Sequence, residues 1–330
     1  MSNILIIGAG SMGTAFSFPC SDNNHQVDIV GTHLENDFID KINSNNKHPA
    51  LDCDIPKNVK FFKFEKLSEE ITKKADLIAL AVSSKGIEWA SDELSKVLKS
   101  KIPILILTKG LAINNNNYEI LAHKVQRILK TKGVKDINIS AAGGPCLARA
   151  LAKRTHTSVV FANSDIEVVN QIKKLVSTDY YHISTSTDVI GVEICAAIKN
   201  IFAMAIGSSK ELNTAAALIQ QSINEMITFT EKLKGKKDTV IGLAGIGDLY
   251  VSVKGGRNSQ MGEYLGQGMK FSEAKKTKMA DITVEGADLA LEIGSKVKSD
   301  FDSKTLPLMI GLIDTILEEK PLKIDWKNFK

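Results

Sequence analysis

The chain has 330 residues, 43% of them hydrophobic and 24% charged, with a formal net charge of +4. That length exceeds what one hydrophobic core usually organises, so two domains are expected, and the composition argues against long disordered tails. The 42 basic residues are spread along the chain instead of gathering in one patch, which argues against nucleic acid as the main partner.

The N-terminal apolar run begins at Ile4 without a basic region before it and meets Gly8 almost at once. It is too short for a signal peptide or a membrane span, so the cytoplasm is the expected compartment and no membrane partner is expected. From there to about residue 190, short apolar runs alternate with amphipathic stretches, the pattern of a doubly wound α/β domain with a parallel sheet. Strands are expected at Ile4 to Ile7, Val27 to Val30, Leu77 to Val82, Ile104 to Leu107, Ile137 to Ala141 and Ser158 to Phe161. Helices are expected at Glu88 to Leu98, Tyr118 to Lys130 and Ile166 to Ser177, with Asn114 to Asn117 as a solvated loop opening the second of these. Pro19 should end or kink the first helix early. Past Thr187, long helical patterns such as Val192 to Ile206 and Ala215 to Leu233 follow without strand alternation. The expected division is therefore a dinucleotide-binding domain at 1–188 and an all-helical substrate and catalytic domain at 189–330.

Ile4-Leu5-Ile6-Ile7-Gly8-Ala9-Gly10-Ser11-Met12-Gly13 is a strand emptying into GxGxxG and then into a helix, with another strand by Val30. This is the setting in which the motif binds a dinucleotide, and the domain is expected to be a Rossmann-type sheet. Gly8 permits the tight turn, Gly10 lets backbone amides approach a pyrophosphate, and Gly13 lets helix and strand pack closely. A glycine-rich turn without ligand is the plain alternative. The later run Gly242 to Gly247 is not a second such site, because Tyr250 stands at the third glycine position. The second strand ends Val30-Gly31-Thr32-His33, with Asp28 inside it and Glu35 beyond it, so no acid stands at its end to hold ribose hydroxyls. The expectation leans to NADP, with use of NAD also allowed.

The four cysteines, Cys20, Cys53, Cys146 and Cys195, form no CxxC pair and the six histidines form no HxxxH pair. No metal centre or disulfide framework is expected. Chemistry is sought instead in the stretch Val192 to Ile206, apolar on nearly every face, with Lys199 in its middle. A lysine there is either paired and functional or snorkelling from a helix edge. Asn200 beside it and Glu193 on an adjacent turn favour function.

Read together, Gly191-Val-Glu-Ile-Cys-Ala-Ala-Ile-Lys199-Asn200, Gly242-Leu-Ala-Gly-Ile-Gly-Asp248-Leu, Gly256-Arg257-Asn258, Leu265-Gly-Gln-Gly268 and Val284-Glu285-Gly286 resemble the NAD(P)-dependent glycerol-3-phosphate dehydrogenases over nearly the whole chain. The resemblance implies hydride transfer between NAD(P) and the pair dihydroxyacetone phosphate and sn-glycerol 3-phosphate, in a homodimer. It implies Lys199 as general acid and base, completed by Lys109 and Asp248. Arg257 and Asn258 would bind the substrate phosphate, and Gly144, Cys146 and Asn200 would join Lys109, Lys199 and Asp248 in the substrate pocket. Ser11, Met12, Thr32, Lys109, Ala148, Arg257 and Glu285 would join Gly8, Gly10 and Gly13 at the cofactor. Cys146 stands where a hydroxyl residue is usual, and Gly256 where a serine precedes the arginine. Arg257 is one of only four arginines, with Arg127, Arg149 and Arg154, which suggests a need for its fork of donors. Other polyol phosphates, hydroxy acids or a non-catalytic NAD(P)-binding role are the alternatives.

Overall fold

The computed structural model describes residues 1–99 and 101–329. Its strands are β1 (Asn3–Ile7), β2 (Gln26–Val30), β3 (Val59–Phe62), β4 (Leu77–Leu80), β5 (Ile104–Ile106), β6 (Leu111–Asn114), β7 (Asn117–Ile120), β8 (Ile139–Gly143), β9 (Thr157–Ala162) and β10 (Tyr181–Ser186). The helices are α1 (Ser11–Asp22), α2 (Asn36–Asn45), α3 (Glu69–Lys74), α4 (Ile87–Val97), α5 (Leu121–Thr131), α6 (Ala148–Ala152), α7 (Ile166–Val176), α8 (Val189–Gly207) and α9 (Leu212–Lys232). They continue as α10 (Lys237–Ile241), α11 (Asp248–Val253), α12 (Arg257–Gly266), α13 (Phe271–Lys278), α14 (Glu285–Asp300) and α15 (Pro307–Leu317). Two compact units result, Met1–Lys109 with Leu121–Val189, and Gly110–Ile120 with Ile190–Lys330.

The first unit is an eight-stranded sheet in the order β10-β9-β8-β5-β4-β1-β2-β3. Its central strands are short apolar runs buried on both faces, as parallel strands between helical layers must be; Ile4 to Ile7 and Leu77 to Leu80 are all buried. β3, β2, β1, β4, β5 and β8 run parallel, but β9 pairs antiparallel with β8, through Ala141 with Ala162 and Gly143 with Val160. The sheet is thus mixed where sequence reading expected it parallel. The connection from β8 to β9 holds only the short α6, too little to carry the chain back to the starting edge for a parallel return.

Three further expectations are corrected. α1 runs through Pro19 to Asp22, because the proline comes near the helix end and its neighbours Phe16, Phe18 and Cys20 are buried in the core. Asn114 to Asn117 is the turn of the β6–β7 hairpin, with Asn115 and Asn116 both at positive φ as a tight two-residue turn requires. Tyr118 therefore lies on a strand, and the helix begins at Leu121. The hairpin groups with the second unit, so that unit is helical with one added hairpin, and the division falls at three places along the chain instead of one.

In the second unit α8 is the core. It is long and apolar enough to cross a bilayer by length and composition, yet it is buried along nearly its whole course. α12 crosses it at backbone contact: a Cβ on Gly262 would stand 2.0 Å from the Met204 carbonyl oxygen. Beside it α9 places the buried Glu225 carboxylate on the N-terminus of α15, where it accepts the Leu308 and Met309 amides at 2.8 and 2.9 Å.

Candidate active site

The glycine turn after β1 is shaped by close approach. Gly8 holds φ +110°, a region that favours glycine, and a Cβ there would stand 2.8 Å from the Ala81 carbonyl oxygen. A Cβ on Gly13 would stand 2.3 Å from the Gly8 oxygen, so the helix can sit against the turn only without a side chain. Gly10 differs: nothing lies within 4 Å of its Cβ position. As N-cap of α1 it offers no side-chain cap, and the first turn holds no acidic residue. The amides of Ser11 and Met12 therefore open the helix without a capping side chain, the arrangement that receives a pyrophosphate. The turn lies between the ends of β1 and β4, where the strand order reverses, so the residues fit a dinucleotide.

At the end of β2 the structure places an acid that strand-end reasoning missed. The Glu35 Oε2 accepts the Thr32 amide at 2.7 Å and the Ala9 amide at 3.2 Å. The carboxylate comes from beyond the turn and folds back to the strand end, joining Thr32 to the glycine motif.

Beyond β5, Lys109 donates to the Gly144 carbonyl at 3.3 Å. Gly144 itself stands at φ +106°. Lys109, Gly144 and Cys146 line one small cavity of about 30 Å³ with Met12 and Tyr181, room for about one water. Four candidates distant in sequence are thus gathered in this unit. Tyr181, which no sequence motif marked, is buried, and that burial pushes its phenol well above the usual range, so it stays neutral.

In the second unit Lys199 is buried on α8 and pairs with Asp248 at 2.6 Å. It also donates to Ser252 Oγ at 2.5 Å, and Ser252 donates in turn to the Asp248 carbonyl at 2.9 Å. Asp248 and Ser252 lie four residues apart on α11, hence on one helix face, a spacing that could have revealed Ser252. The glycine run before them winds as a wide turn over Leu243–Gly247, where a Cβ on Gly245 would stand 1.9 Å from the Val240 oxygen. Such wide turns recur at functional sites. Asn200 follows Lys199 but makes a separate chain, accepting from Asn258 Nδ2 at 3.0 Å, while Asn258 Oδ1 accepts the Gly286 amide at 2.8 Å.

Arg257 is the first residue of α12, and its guanidinium pairs with Glu285. Gly255 before it holds φ +86°, and Gly256 caps the helix without a side chain. Ala148 opens α6. A larger cleft of about 430 Å³ in the second unit, bordered by Glu231, Lys232, Asp300 and Phe301, contains none of the candidate residues. Among the described residues no group of three or more His, Cys, Asp or Glu could hold a metal ion.

Residues 3–169 match the family described as NAD-dependent glycerol-3-phosphate dehydrogenase N-terminus, and residues 188–324 match its C-terminus. The chain is 32% identical over 311 residues to an NADP(+)-dependent glycerol-3-phosphate dehydrogenase of Archaeoglobus fulgidus, covering 90% of this chain and 91% of that one. A glycerol-3-phosphate dehydrogenase [NAD(P)+] of Phytoplasma mali is 31% identical over 333 residues, covering 98% and 96%. In fold, the chain is similar to the glycerol-3-phosphate dehydrogenase of Coxiella burnetii, with a TM-score of 0.82 at 24% identity over 97% of this chain and 96% of that one.

Proposed function

The chain belongs to the NAD-dependent glycerol-3-phosphate dehydrogenase family, and from that premise we propose how its residues interconvert dihydroxyacetone phosphate and sn-glycerol 3-phosphate. It is an NAD(P)-dependent oxidoreductase. The nicotinamide cofactor, when bound, supplies the hydride that goes to the ketone carbon. Reduction also needs a proton on the carbonyl oxygen, and Lys199 donates it from its ammonium. The buried Lys199–Asp248 pair is the observation that carries this role.

A buried ammonium would ordinarily be costly, and Asp248 holds it charged by supplying the opposite charge at contact distance. Asp248 and Ser252 take two of its three N–H donors and so fix the direction of the ammonium. In the reverse direction the neutral amine accepts the proton from the alcohol. Lys109 polarises or orients the carbonyl oxygen, and Gly144 and Cys146 shape the surroundings of that lysine. Arg257 and the N-terminal amides of α12 receive the phosphate, with Asn258 held rigid through Asn200 and Gly286. Ser11, Met12, Thr32, Ala148 and Glu285 contact the cofactor. The protein acts in the cytoplasm as a homodimer, and its product supplies the glycerol phosphate backbone of phospholipids.

The test is Lys199→Met. Turnover should fall by about a thousandfold or more, the upper range for a lost general acid, while NAD(P)H affinity stays within about twofold because the glycine turn is untouched. Activity within about tenfold of the parent chain would remove Lys199 from the chemistry.

A further inference from the structure

The proton and phosphate chemistry above leaves unexplained the carboxylate folded back onto the end of β2. After β2 the chain turns through His33 and Leu34, closed by the Glu35 amide donating to the Thr32 carbonyl at 3.0 Å. Glu35 then caps α2 and turns its carboxylate inward to the amides of Thr32 and Ala9. Ala9 lies between Gly8 and Gly10, and in sheets of this order the adenosine ribose lies where β2 ends beside that turn. The carboxylate therefore engages both backbone donors that would otherwise greet an anion at the ribose.

His48 completes the arrangement. It is buried, with Phe38 edge-on at 5.0 Å, and its Nδ1 accepts the Ala50 amide at 3.0 Å. The neutral ring consequently carries its proton on Nε2. Burial holds the imidazole below its usual range, outweighing the backbone of Ala9 and the Glu35 carboxylate, which pull the other way. At neutral pH this buried ring is thus no cation to balance further negative charge beside Glu35.

We propose that Glu35 is the residue that selects the cofactor, making the chain selective for NADH over NADPH. Ribose hydroxyls donate to its carboxylate, whereas a 2′-phosphate would bring like charge onto the Ala9 and Thr32 amides that the carboxylate already holds. The inference rests on the dehydrogenase reading only in that the glycine turn binds a dinucleotide.

Calorimetric titration of the full chain with NADH and with NADPH at neutral pH tests it without turnover. NADH should bind at least about tenfold more tightly, the scale of one like-charge juxtaposition. Glu35→Gln, which keeps the shape and removes the charge, should narrow that gap by about fivefold or more, mainly by tightening NADPH, and Glu35→Ala should act in the same direction. Equal or tighter binding of NADPH by the parent chain would overturn the proposal. So would an unchanged ratio in a Glu35→Gln protein whose circular dichroism matches the parent. Turnover of dihydroxyacetone phosphate by the same preparation is scored separately: activity together with equal affinities would overturn the selection while leaving the dehydrogenase reading intact.

Discussion

Arg257 opens α12 after two glycines and shares its guanidinium with Glu285. Both side chains are about half exposed, at 53% and 41%, so the pair contributes no more than about 1 kcal/mol to stability and its purpose lies elsewhere. A guanidinium gives a phosphate two parallel charge-assisted hydrogen bonds, which an ammonium cannot match in geometry. Arg257→Lys should lower kcat/KM for dihydroxyacetone phosphate by about 1 to 3 kcal/mol in transition-state binding, and Arg257→Ala by more. Dihydroxyacetone, which lacks the phosphate, is the control, and its poor turnover should hardly change in either variant. Equal losses on both substrates would assign Arg257 to the fold or the cofactor. Among single residues, Lys199 was legible in the sequence because a lysine inside an apolar helix requires a partner, and the resemblance named Asp248 as that partner. Ser252 was passed over, although its spacing of four from Asp248 on a helix puts both on one face; that signal gains meaning only once Asp248 is placed against Lys199. Glu35 was passed over because the acid reaches the strand end only after the chain turns through His33 and Leu34.

At the scale of elements, Glu225 joins α9 to α15 by accepting two amides and the Gln221 side chain. Burial raises its carboxyl to about 7, with the Leu308 and Met309 amides and Gln221 opposing. The folded form therefore holds its proton more tightly than the unfolded chain does. The stability from that proton is complete below about pH 4.5 and is lost as pH rises toward about 7, a change on the order of 3 kcal/mol. Melting temperature should fall over that window, and Glu225→Gln should flatten the fall. A parent-like slope in the variant would show that other groups set it. In the sequence, α9 was recognisable from its period, but nothing local marked Glu225 as inward-facing. The central strands and long helices were recognisable for the same reason, being strongly apolar or strongly periodic. β3, β10 and the β6–β7 hairpin were not, because they are only partly buried and carry polar residues among the apolar ones, so no continuous apolar run marks them.

Over the whole molecule, each unit gathers its own part of the chemistry. The first holds the glycine turn, Glu35 and the cavity around Lys109, and the second holds the Lys199–Asp248 pair and Arg257. The alternation of strands and helices made the first unit readable as a sheet, and the change near Thr187 marked the second. The antiparallel entry of β9 and the crossing of Gly110–Ile120 to the second unit had no local signature, since both depend on where a connecting segment finds room. The central claim is that these parts serve reduction of a phosphorylated ketone, and the direct measurement is oxidation of NADH or NADPH by the purified chain. Dihydroxyacetone phosphate should be reduced to sn-glycerol 3-phosphate with kcat/KM on the order of 10⁴ M⁻¹s⁻¹ or higher, far above dihydroxyacetone. No turnover of the phosphate with either cofactor, or equal turnover of the two ketones, would contradict it.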